Sequence, residues 1–292
     1  MRTSAIIVEP LGGLGNQLFT YATGLSLAMK LGVPLDVDTQ GFQDYVWHEY
    51  ELDSFDNSIA RTFQGRPRKV PGERVVLNRF LDPIRYKAGS RLFIERQSTF
   101  DPRVLELREG SRLRGYFQSP RYFSEHSSLI RDETTQVHNP SEWFRETSEE
   151  LSALGSWLGV HIRRGNYTVI PGMGLAPQSY YSAAIDLVDK CVGQLPIVVF
   201  SDDPSAAHEI LGRELLHRVR LLQPPIQSRP IESMNLLRQA SHLVIANSTF
   251  GWWAAWLGDH EGRMTVYPRP WLDSSWHNER DLIPEGWVSL SR

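Results

Sequence analysis

The alternation of apolar and polar residues near the start of the chain predicts a strand, a loop, a helix and a second strand. The apolar run at 5–8 predicts a buried strand, and the glycine-rich stretch 11–16 predicts a loop. Residues 19–31 predict a helix, and residues 34–37 predict the next strand. This order makes a βαβ unit, in which parallel strands bind ligands at their carboxyl ends.

The middle of the chain is less regular. Residues 40–95 are rich in aromatic and basic side chains and have little periodicity, so short helices and loops are expected there. Residues 111–117 predict a strand, and a helix is expected to start near Pro120.

From residue 157 onward, strands and helices alternate regularly. Strands are predicted at 157–162, 197–200, 219–222, 243–246 and 264–267, and helices at 178–190, 204–211, 231–240 and 250–257. This alternation is typical of a doubly wound α/β fold. With a length of 292 residues and a junction near 138–156, we predict two α/β domains, residues 1–150 and 151–292.

Composition narrows the function classes. The chain is 41% hydrophobic and 22% charged, as a globular protein is, and its net charge of −3 gives no general attraction to nucleic acid. The single cysteine, Cys191, excludes an intramolecular disulfide and a cysteine-based zinc cluster, which fits a cytoplasmic protein. No apolar run approaches the about 18 to 20 residues of a membrane-spanning helix, and no secretory segment is recognised.

The segment HIRRGNY, residues 161–167, places two arginines directly after a predicted strand. Arginine carries a permanent charge on a planar fork of donors, so Arg163 and Arg164 suit a diphosphate. Gly165 opens the backbone where a strand of an open α/β sheet meets its ligand crevice. The alternative is that one arginine pairs with a structural carboxylate and the other is solvated.

The segment LGGLGNQLF offers a second candidate site. Gly13 and Gly15, between a strand and a helix, let backbone N–H groups approach an anion or a sugar, although a tight turn explains them equally well. An NAD(P)-linked oxidoreductase is a further alternative. Its dinucleotide-binding fingerprint has a ribose-binding acid about twenty residues after the glycines, where Asp36 and Asp38 lie. Leu18 stands where that fingerprint needs its third glycine or alanine, which weakens this interpretation.

Asp36 and Asp38 also have the D-x-D form that metal-dependent sugar transferases use. No other oxygen ligand accompanies them in the sequence, so two solvated acids at a strand end is the simpler interpretation and no metal is expected.

Two later strand ends carry polar residues. Asp203 followed by Pro204 predicts a helix start, and Ser201 and Asp202 before it are placed to touch a ribose or a base. After the strand at 243–246, three polar residues precede a helix whose unsatisfied N–H groups favour an anion. These three residues are Asn247, Ser248 and Thr249. A strand-end arginine pair and a helix N-terminus in one domain predict a nucleotide-diphosphate site.

Taken in order, five motifs carry a resemblance that spans nearly the whole chain. They are GGLGNQLFTYA at 12–22, GYFQSPRYF at 115–123, HIRRGNY at 161–167, FSDDP at 200–204 and ANSTFGWWAAWL at 246–257. This set resembles the α-1,2-fucosyltransferases of glycosyltransferase family 11. The resemblance implies a GT-B type α/β fold with two Rossmann-like domains facing a cleft. It also implies inverting transfer of L-fucose from GDP-β-L-fucose to the 2-hydroxyl of a terminal galactose of a surface glycan.

The resemblance further implies roles for individual residues and domains. Arg163 would bind the β-phosphate and stabilise the departing GDP, with His161 beside it. The predicted donor-binding residues are Gly13, Gly15, Asn16, Gln17, Arg164, Asn166, Ser201, Asp202, Asn247, Ser248 and Thr249. The domain at 151–292 would hold the GDP-sugar and the domain at 1–150 the acceptor. The resemblance implies no required metal. No cofactor is expected either, since GDP-fucose is a substrate. The acceptor is expected to be a galactose-terminated oligosaccharide, and a lipid-linked one would draw the protein to the inner face of the membrane.

Two departures from the family pattern leave alternatives open. Asn166 stands where the family's H-x-R-R-x-D-Y has aspartate, and Ser233, beside Glu232, stands where an acid is usual. A transferase using another GDP-sugar or another acceptor, and a catalytically silent nucleotide-binding protein, are therefore alternatives. The general base is left open among Asp38, His48 and Glu49, which have the right chemistry.

Overall fold

The computed structural model describes residues 4–43, 48–55, 60–63, 91–273 and 278–292. The chain forms two compact units, residues 1–136 with 280–283, and residues 137–279 with 284–292. Each unit contains one parallel β-sheet flanked by helices, which confirms the predicted α/β class. Within these described ranges, none of the helices combines the length and apolar character that a membrane crossing requires.

The first unit is built on a five-stranded sheet. Its elements are β1 (Ile6–Glu9), α1 (Leu14–Leu31), β2 (Leu35–Asp38), β3 (Ala60–Phe63), β4 (Leu92–Ile94), β5 (Arg112–Arg114) and α2 (Ser127–Thr135). The strand order is β3-β2-β1-β5-β4, with all pairs parallel. The central strand β1 therefore has a neighbour on each side, and the carboxyl ends of all five strands lie at one edge of the sheet.

Helix α1 begins earlier than the sequence predicts, at Leu14 rather than residue 19. Gly13 is its N-cap in an extended conformation, and Gly32 ends it in the left-handed region with φ 63. Apolar residues occur on every side of this helix, and it is buried along almost its whole length, so periodicity alone predicts too short a helix. The predicted glycine loop is consequently reduced to the turn before Leu14.

The strand predicted at 111–117 is shorter in the structure, because the chain leaves the sheet after Arg114. The buried carboxylate of Glu95 accepts hydrogen bonds from the backbone N–H groups of Tyr116 at 2.7 Å and Phe117 at 3.0 Å. Phe117 has a positive φ of 50. Short 3-10 turns follow Pro120, and the α-helix begins only at Ser127. The strands β3 and β4 in the irregular region were not predicted, and residues 64–90 lie outside the described chain.

The second unit is built on a six-stranded sheet. Its elements are α3 (Glu142–Ala153), β6 (Leu158–Ile162), α4 (Gln178–Val192), β7 (Ile197–Ser201), α5 (Pro204–Leu211), β8 (Val219–Leu221), α6 (Pro230–Leu237), β9 (His242–Val244), α7 (Thr249–Leu257), β10 (Thr265–Arg269) and β11 (Val288–Ser291). The order is β11-β10-β9-β6-β7-β8, again parallel throughout. All of these elements except α3 and β11 were predicted, with small differences at their ends.

Strand β6 lies inside this sheet, between β9 and β7, and every one of its residues is buried. Helix α7 is buried almost all round, and Trp252, Trp253 and Trp256 pack against one another within it. A strand buried on both faces holds the residue that follows it at a fixed position, because neither the strand nor its neighbours can shift without losing packing. The carboxyl end of β6 is therefore held in a fixed position by packing.

The predicted domain boundary at residue 150 lies inside a helix. Helix α3 extends across that position, and it packs against α6 of the second unit. The backbone N–H and the hydroxyl of Ser141, the N-cap of α3, both donate to the buried carboxylate of Glu232 on α6. These bonds join α3 to the second unit, so the division falls between residues 136 and 137 instead.

Candidate functional site

Arg163 follows the last residue of β6 and is held by two oxygen acceptors. Its Nη1 lies 2.7 Å from Asp202 Oδ2, and its Nη2 donates to Asn166 Oδ1 at 2.7 Å. The guanidinium carbon also lies 5.2 Å from the centre of the Tyr167 ring. Its Nε is buried and has no hydrogen-bond partner among the described residues. The guanidinium is thus fixed in orientation and keeps donor capacity unused.

Arg164 points to a different acid. Its Nε lies 3.6 Å from Asp203 Oδ2, too far for a hydrogen bond, while its backbone N–H donates to Asp202 Oδ1 at 2.8 Å. Both arginines therefore have a carboxylate nearby, whereas the interpretation with one structural ion pair predicted a carboxylate beside only one of them. Since Nε of Arg164 is also unpartnered in the described structure, neither pairing exhausts the guanidinium.

Gly165 is required for this arrangement. Its φ is +24, and a Cβ at this position would lie 2.4 Å from Asp202 Oδ2. A side chain here would push Asp202 away from both arginines. The glycine of the HIRRGNY motif therefore lets the end of strand β7 approach residues 163–167, which we call the arginine turn.

His161 is buried inside the same strand end. Its ring stacks on Phe250 of α7 with a centroid distance of 5.4 Å, and its Nδ1 has no partner among the described residues. Burial, with a smaller effect of Arg163, lowers the pKa of His161 to about 3. The imidazole is therefore neutral at physiological pH, and it cannot supply a positive charge to a diphosphate.

Gly251 makes room for that imidazole. A Cβ on Gly251 would lie 2.7 Å from His161 Nδ1 and 3.2 Å from the Cβ of Ile245. The start of α7 thus packs directly against β6 through a glycine and a histidine ring. This contact fixes the distance between the N-terminus of α7 and the arginine turn.

The predicted donor residues at the other strand ends have partners of their own. Ser201 Oγ donates to the carbonyl of Asp203 at 3.1 Å and accepts its N–H at 3.0 Å, and Asp203 caps α5 by accepting from Ala206 N–H. Ser248 caps α7 by accepting from Phe250 N–H at 3.3 Å, and Thr249 begins that helix half-buried. The capping predictions are confirmed, and contact of Ser201 and Asp202 with a ribose or base stays a prediction.

Asn247 is buried, and its side-chain amide nitrogen already donates to backbone carbonyls. Its amide donates to the carbonyls of Met173 at 2.8 Å and Gly174 at 2.9 Å, and its backbone carbonyl accepts from Tyr167 Oη at 3.2 Å. The same loop is held on its other side by Asp273, whose N–H donates to Gly172. For Asn247 to bind a donor through its amide nitrogen, these bonds would have to break.

Tyr167 is a site residue that the sequence analysis did not predict, although it ends the HIRRGNY motif. It contacts the Arg163 guanidinium with its ring and the Asn247 carbonyl with its hydroxyl. Burial raises its pKa, with opposing effects of Arg163 and a hydrogen bond with Ser248. Tyr167 thereby joins the arginine turn to the start of α7.

The glycine-loop residues lie in the first unit. Gly15, Asn16 and Gln17 belong to the first turns of α1, where Asn16 Oδ1 accepts from Gln118 Nε2 at 2.9 Å. Gly13 lies beside the ring of His48, whose Cε1 would be 3.1 Å from a Cβ at Gly13. The predicted contact of these residues with a donor stays a prediction.

Gln17 has a different environment from the one that a ligand contact would have. It is fully buried, its Nε2 donates to the carbonyls of Gly12 at 2.9 Å and Glu49 at 2.8 Å, and its Oε1 accepts from Glu51 N–H at 3.0 Å. All three bonds go to backbone. Gln17 therefore ties the segment 49–51 to the glycine turn.

Acids and arginines also meet at the carboxyl edge of the first sheet. Arg112 Nη1 lies 2.7 Å from Glu9 and 2.5 Å from Asp38, and Arg114 Nε lies 2.5 Å from Glu9. Asp38 is buried and also accepts from Gln40 N–H. In the described part of the chain, no group of three or more histidine, cysteine or acidic side chains is placed to hold a metal ion.

Ser233 and Glu232, at the second departure from the family pattern, lie on α6. The Glu232 carboxylate is 1% exposed, and it accepts from Ser141 and lies 3.6 Å from Arg229. This acid therefore supports the packing of α3 on α6. It does not stand in as an open acid for the residue that the family has at position 233.

Comparison with known proteins adds to this geometry. Residues 109–291 match a family model described as Glycosyl transferase family 11. Alpha-1,2-colitosyltransferase of Escherichia coli is 29% identical over 303 residues, a match that covers 99% of this chain and 100% of that protein. Galactoside alpha-(1,2)-fucosyltransferase 2 of Oryctolagus cuniculus is 25% identical, and the match covers 97% of this chain and 76% of that protein. These matches confirm the resemblance drawn from the motifs.

A solved structure supports the fold. The crystal structure of NodZ alpha-1,6-fucosyltransferase soaked with GDP-fucose is similar with a TM-score of 0.50 and 14% sequence identity, covering 87% of this chain and 92% of its own. At that identity the similarity concerns the fold alone. Together with the two parallel-sheet units, it confirms the predicted α/β fold of GT-B type.

Proposed function

The chain belongs to glycosyl transferase family 11, and from that premise we propose that it transfers L-fucose from GDP-β-L-fucose to the 2-hydroxyl of a terminal galactose. The acceptor is a galactose-terminated oligosaccharide of a surface glycan, and the anomeric configuration of fucose is inverted. The chain is thus proposed to be a galactoside α-1,2-fucosyltransferase. We assign most of the donor-binding residues to the second unit and the acceptor-binding residues to the first, and the donor contacts predicted for Gly13, Gly15, Asn16 and Gln17 of the first unit stay predictions.

The observation that carries this proposal is the state of Arg163. Its guanidinium is oriented by Asp202 and Asn166, yet it keeps an Nε without a partner among the described residues, at the carboxyl end of a central parallel strand. A planar fork with donors to spare is what a β-phosphate oxygen needs. Ligands of open α/β sheets bind at this edge, beside a helix N-terminus such as that of α7.

The chemistry follows from where charge develops. As the bond between the fucose anomeric carbon and the β-phosphate oxygen breaks, its electron pair leaves with GDP and the sugar becomes positive. Arg163 and the N–H groups at the start of α7 stabilise the growing negative charge on GDP more than they stabilise the bound donor. His161 stays neutral and buried, so it serves as packing that holds Arg163 and α7 at their separation.

A second candidate donor is favoured by one comparison. The Escherichia coli protein that matches along the whole chain is named Alpha-1,2-colitosyltransferase. Transfer of colitose from its GDP-linked form, by the same fold and the same arginine turn, is therefore the second candidate function. The two sugars would be distinguished by residues that contact the transferred sugar, and the phosphate site would be shared.

The proposal is tested by a transfer assay with a panel of donors and acceptors. GDP-fucose, GDP-colitose and GDP-mannose are each supplied with a panel of β-galactosides, and both GDP release and the linkage of the product are measured. Fucosylation of the galactose 2-hydroxyl, unaffected by EDTA, is the expected result. Preferential transfer of colitose would select the second candidate instead.

Two further arms of the assay test for an oxidoreductase and for a silent nucleotide-binding protein. Binding of NADH or NADPH in place of GDP would overturn the proposal in favour of an oxidoreductase. GDP binding without transfer to any galactoside from any of these donors would overturn it in favour of a nucleotide-binding protein without this activity.

A further inference from the structure

Two apolar side chains that follow the arginine turn are open to solvent. Val169 is 67% exposed and Ile170 is 37% exposed. Among the described residues, they are the only large apolar side chains that are both exposed and adjacent in sequence. Single exposed apolar side chains are normal on a protein surface, whereas adjacent ones beside a ligand site are typical of a contact surface. We call residues 169 and 170 the apolar pair.

The backbone of the apolar pair is tied to the residue that orients Arg163. The N–H groups of Val169 and Ile170 both donate to the carbonyl of Asn166 at 3.1 Å. The side chain of the same asparagine accepts from Arg163 Nη2 at 2.7 Å. Asn166 therefore holds the apolar pair through its backbone and the guanidinium through its side chain. The apolar pair and the guanidinium are neighbours within the second unit.

The chain beyond the apolar pair is fixed as well. The side-chain amide of Asn247 donates to the carbonyls of Met173 at 2.8 Å and Gly174 at 2.9 Å, and the N–H of Asp273 donates to the carbonyl of Gly172 at 2.9 Å. All of these residues belong to the second unit. A loop that is held at both ends is already ordered, so a ligand that covers its apolar side chains loses little binding free energy to ordering it.

The chemistry of the donor indicates what these side chains contact. With Arg163 on the β-phosphate, as proposed, the transferred sugar lies beside the arginine turn, because one oxygen joins it to that phosphate. Most of the surface of a hexose is polar and gains nothing from contact with valine or isoleucine. L-Fucose, however, carries a methyl group at C6, where an ordinary hexose carries a hydroxymethyl group. Removing that methyl from water against an apolar side chain is favourable.

We infer, resting on the proposed function, that Val169 and Ile170 contact the C6 methyl group of the transferred sugar and select 6-deoxy donors. Contact with the apolar pair stabilises a bound methyl through the hydrophobic effect. A hydroxymethyl group at the same place would lose water and find no hydrogen-bond partner on either side chain. Colitose has the same C6 methyl, so the apolar pair sets the class of donor and does not choose between the two candidate donors.

The test uses three donors that differ only at C6. GDP-L-fucose has a methyl group, GDP-L-galactose has a hydroxymethyl group, and GDP-D-arabinose has the same ring without C6. Steady-state rates are measured with one β-galactoside, and the affinity for each donor is measured by calorimetry without acceptor. In the wild type, kcat/KM for GDP-L-fucose should exceed that for each other donor by about tenfold or more, as is typical of one methyl group in an apolar contact.

Substitutions at the apolar pair should reduce this preference. Val169→Thr keeps the branched shape and exchanges one methyl group for a hydroxyl, and Ile170→Thr also makes its side chain polar. Each should lower the preference for GDP-L-fucose over GDP-L-galactose by about fourfold, equivalent to the about 0.8 kcal/mol of one buried methyl group. The affinity for GDP should stay unchanged, because GDP has no transferred sugar. That affinity also reports whether each variant folds.

Two further variants control for loss of shape and for exposure as such. Ile170→Val keeps an apolar side chain and should retain most of the preference for GDP-L-fucose. Val192→Thr makes the same exchange as Val169→Thr at a side chain that is 40% exposed, at the end of α4 that precedes β7. Because α4 runs away from the carboxyl edge of the sheet, Val192→Thr should leave the donor preference as in the wild type.

The outcomes separate this inference from the proposed function. Equal use of GDP-L-fucose and GDP-L-galactose by the wild type, or an unchanged preference in Val169→Thr and Ile170→Thr together, would overturn the inference and leave fucose transfer standing. A raised KM for the galactoside with unchanged donor preference would also overturn it, and would assign the apolar pair to the acceptor. Failure of the wild type to transfer fucose would overturn the proposed function. In that event, tighter binding of GDP-L-fucose than of GDP-L-galactose, lost in the double variant, would still support the contact.

Discussion

At the carboxyl edge of the second sheet the chain places arginines and surrounds them with acids, whereas at the same edge of the first sheet it places acids and binds them with arginines. Arg163 is held by Asp202 and Asn166 in the second unit. Glu9 and Asp38 are held by Arg112 in the first. Both arrangements orient charged side chains at strand ends without leaving a large net charge.

The difference lies in what each arrangement leaves unpaired among the described residues. Among the buried side-chain atoms without a hydrogen-bond partner, those of the second unit include two donors, Nε of Arg163 and Nε of Arg164, and those of the first unit include an acceptor, Oε2 of Glu51. An unpaired buried donor attracts an anion, and an unpaired buried acceptor attracts a hydroxyl or a proton. The unpartnered arginine donors of the second unit support the diphosphate site that is proposed there.

The largest expected effect is on the donor side. Arg163→Lys should lower kcat/KM by about 10² to 10³, because an ammonium cannot replace a guanidinium fork that contacts Asp202 and Asn166 and is proposed to bind the β-phosphate as well. Steady-state rates with GDP-fucose measure this effect. Arg220→Lys, which alters an exposed ion pair with Glu150 in the same unit, should keep the wild-type rate. Near-normal turnover of Arg163→Lys would remove Arg163 from its role.

How much of this contrast the sequence predicts differs between the units. In the second unit, apolar strands bounded by Gly, Pro and Asp alternate with helices, so α5 was predicted at its observed bounds and β6 within one residue. The arginines, Asp203 and Ser248 were recognised because capping and charge at strand ends are local features. Strand β11 was missed, since its residues are only partly buried at the sheet edge.

In the first unit the useful information is not local. The raised pKa of Glu51 comes mainly from burial, and its backbone is held by the side-chain amide of Gln17, which is distant in sequence. Neither feature is visible in the residues around Glu51. Gln17 itself lies in a recognised motif, yet the motif indicates a ligand contact where the structure has a backbone clamp. Asp202 was likewise predicted to touch a nucleoside, because its pairing with Arg163 depends on the register of β7 beside β6.

The free energy of unfolding should depend on pH in opposite ways through His161 in the second unit and Glu51 in the first. The pKa of His161 is lowered to about 3, so the unfolded chain binds more protons between about pH 3 and 6.5 and this histidine makes stability rise with pH there. The pKa of Glu51 is raised to about 7, so the folded chain binds more protons between about pH 4.5 and 7 and this acid makes stability fall as pH rises. The slopes have opposite signs.

Urea unfolding at several pH values, with His161→Gln and Glu51→Gln, measures these slopes. Each variant should remove its own contribution, up to about 5 kcal/mol for His161 and about 3 kcal/mol for Glu51, since one pKa unit corresponds to about 1.4 kcal/mol. Relative to the wild type, His161→Gln should gain stability toward low pH and Glu51→Gln should gain it toward neutral pH. Parallel curves for the wild type and Glu51→Gln would show that this carboxyl is not buried as described.

A smaller effect is expected for the acid that orients Arg163. Asp202→Asn keeps an oxygen near Arg163 Nη1 and removes the negative charge, so kcat/KM should fall by about tenfold, equivalent to about 1.4 kcal/mol. The same kinetic assay measures it. Glu150→Gln, which removes the charge opposite Arg220 on the exposed surface, is the matched control and should be silent. An Asp202→Asn enzyme with full activity would show that Asn166 alone orients the arginine.

The smallest effect should come from Asn166→Asp, which restores the acid of the family pattern. Asn166 already accepts a hydrogen bond from Arg163 Nη2 at 2.7 Å, and an aspartate would accept the same bond. Asp202 supplies the negative charge, and a partly exposed ion pair is worth about 0 to 1 kcal/mol, so turnover should change by no more than about fivefold. Asn166→Ala should reduce turnover by more than that, because it removes the acceptor and frees the guanidinium to rotate. A many-fold gain in Asn166→Asp would instead mean that the charge itself serves catalysis, and that the donor side also relies on an acid which this chain has lost.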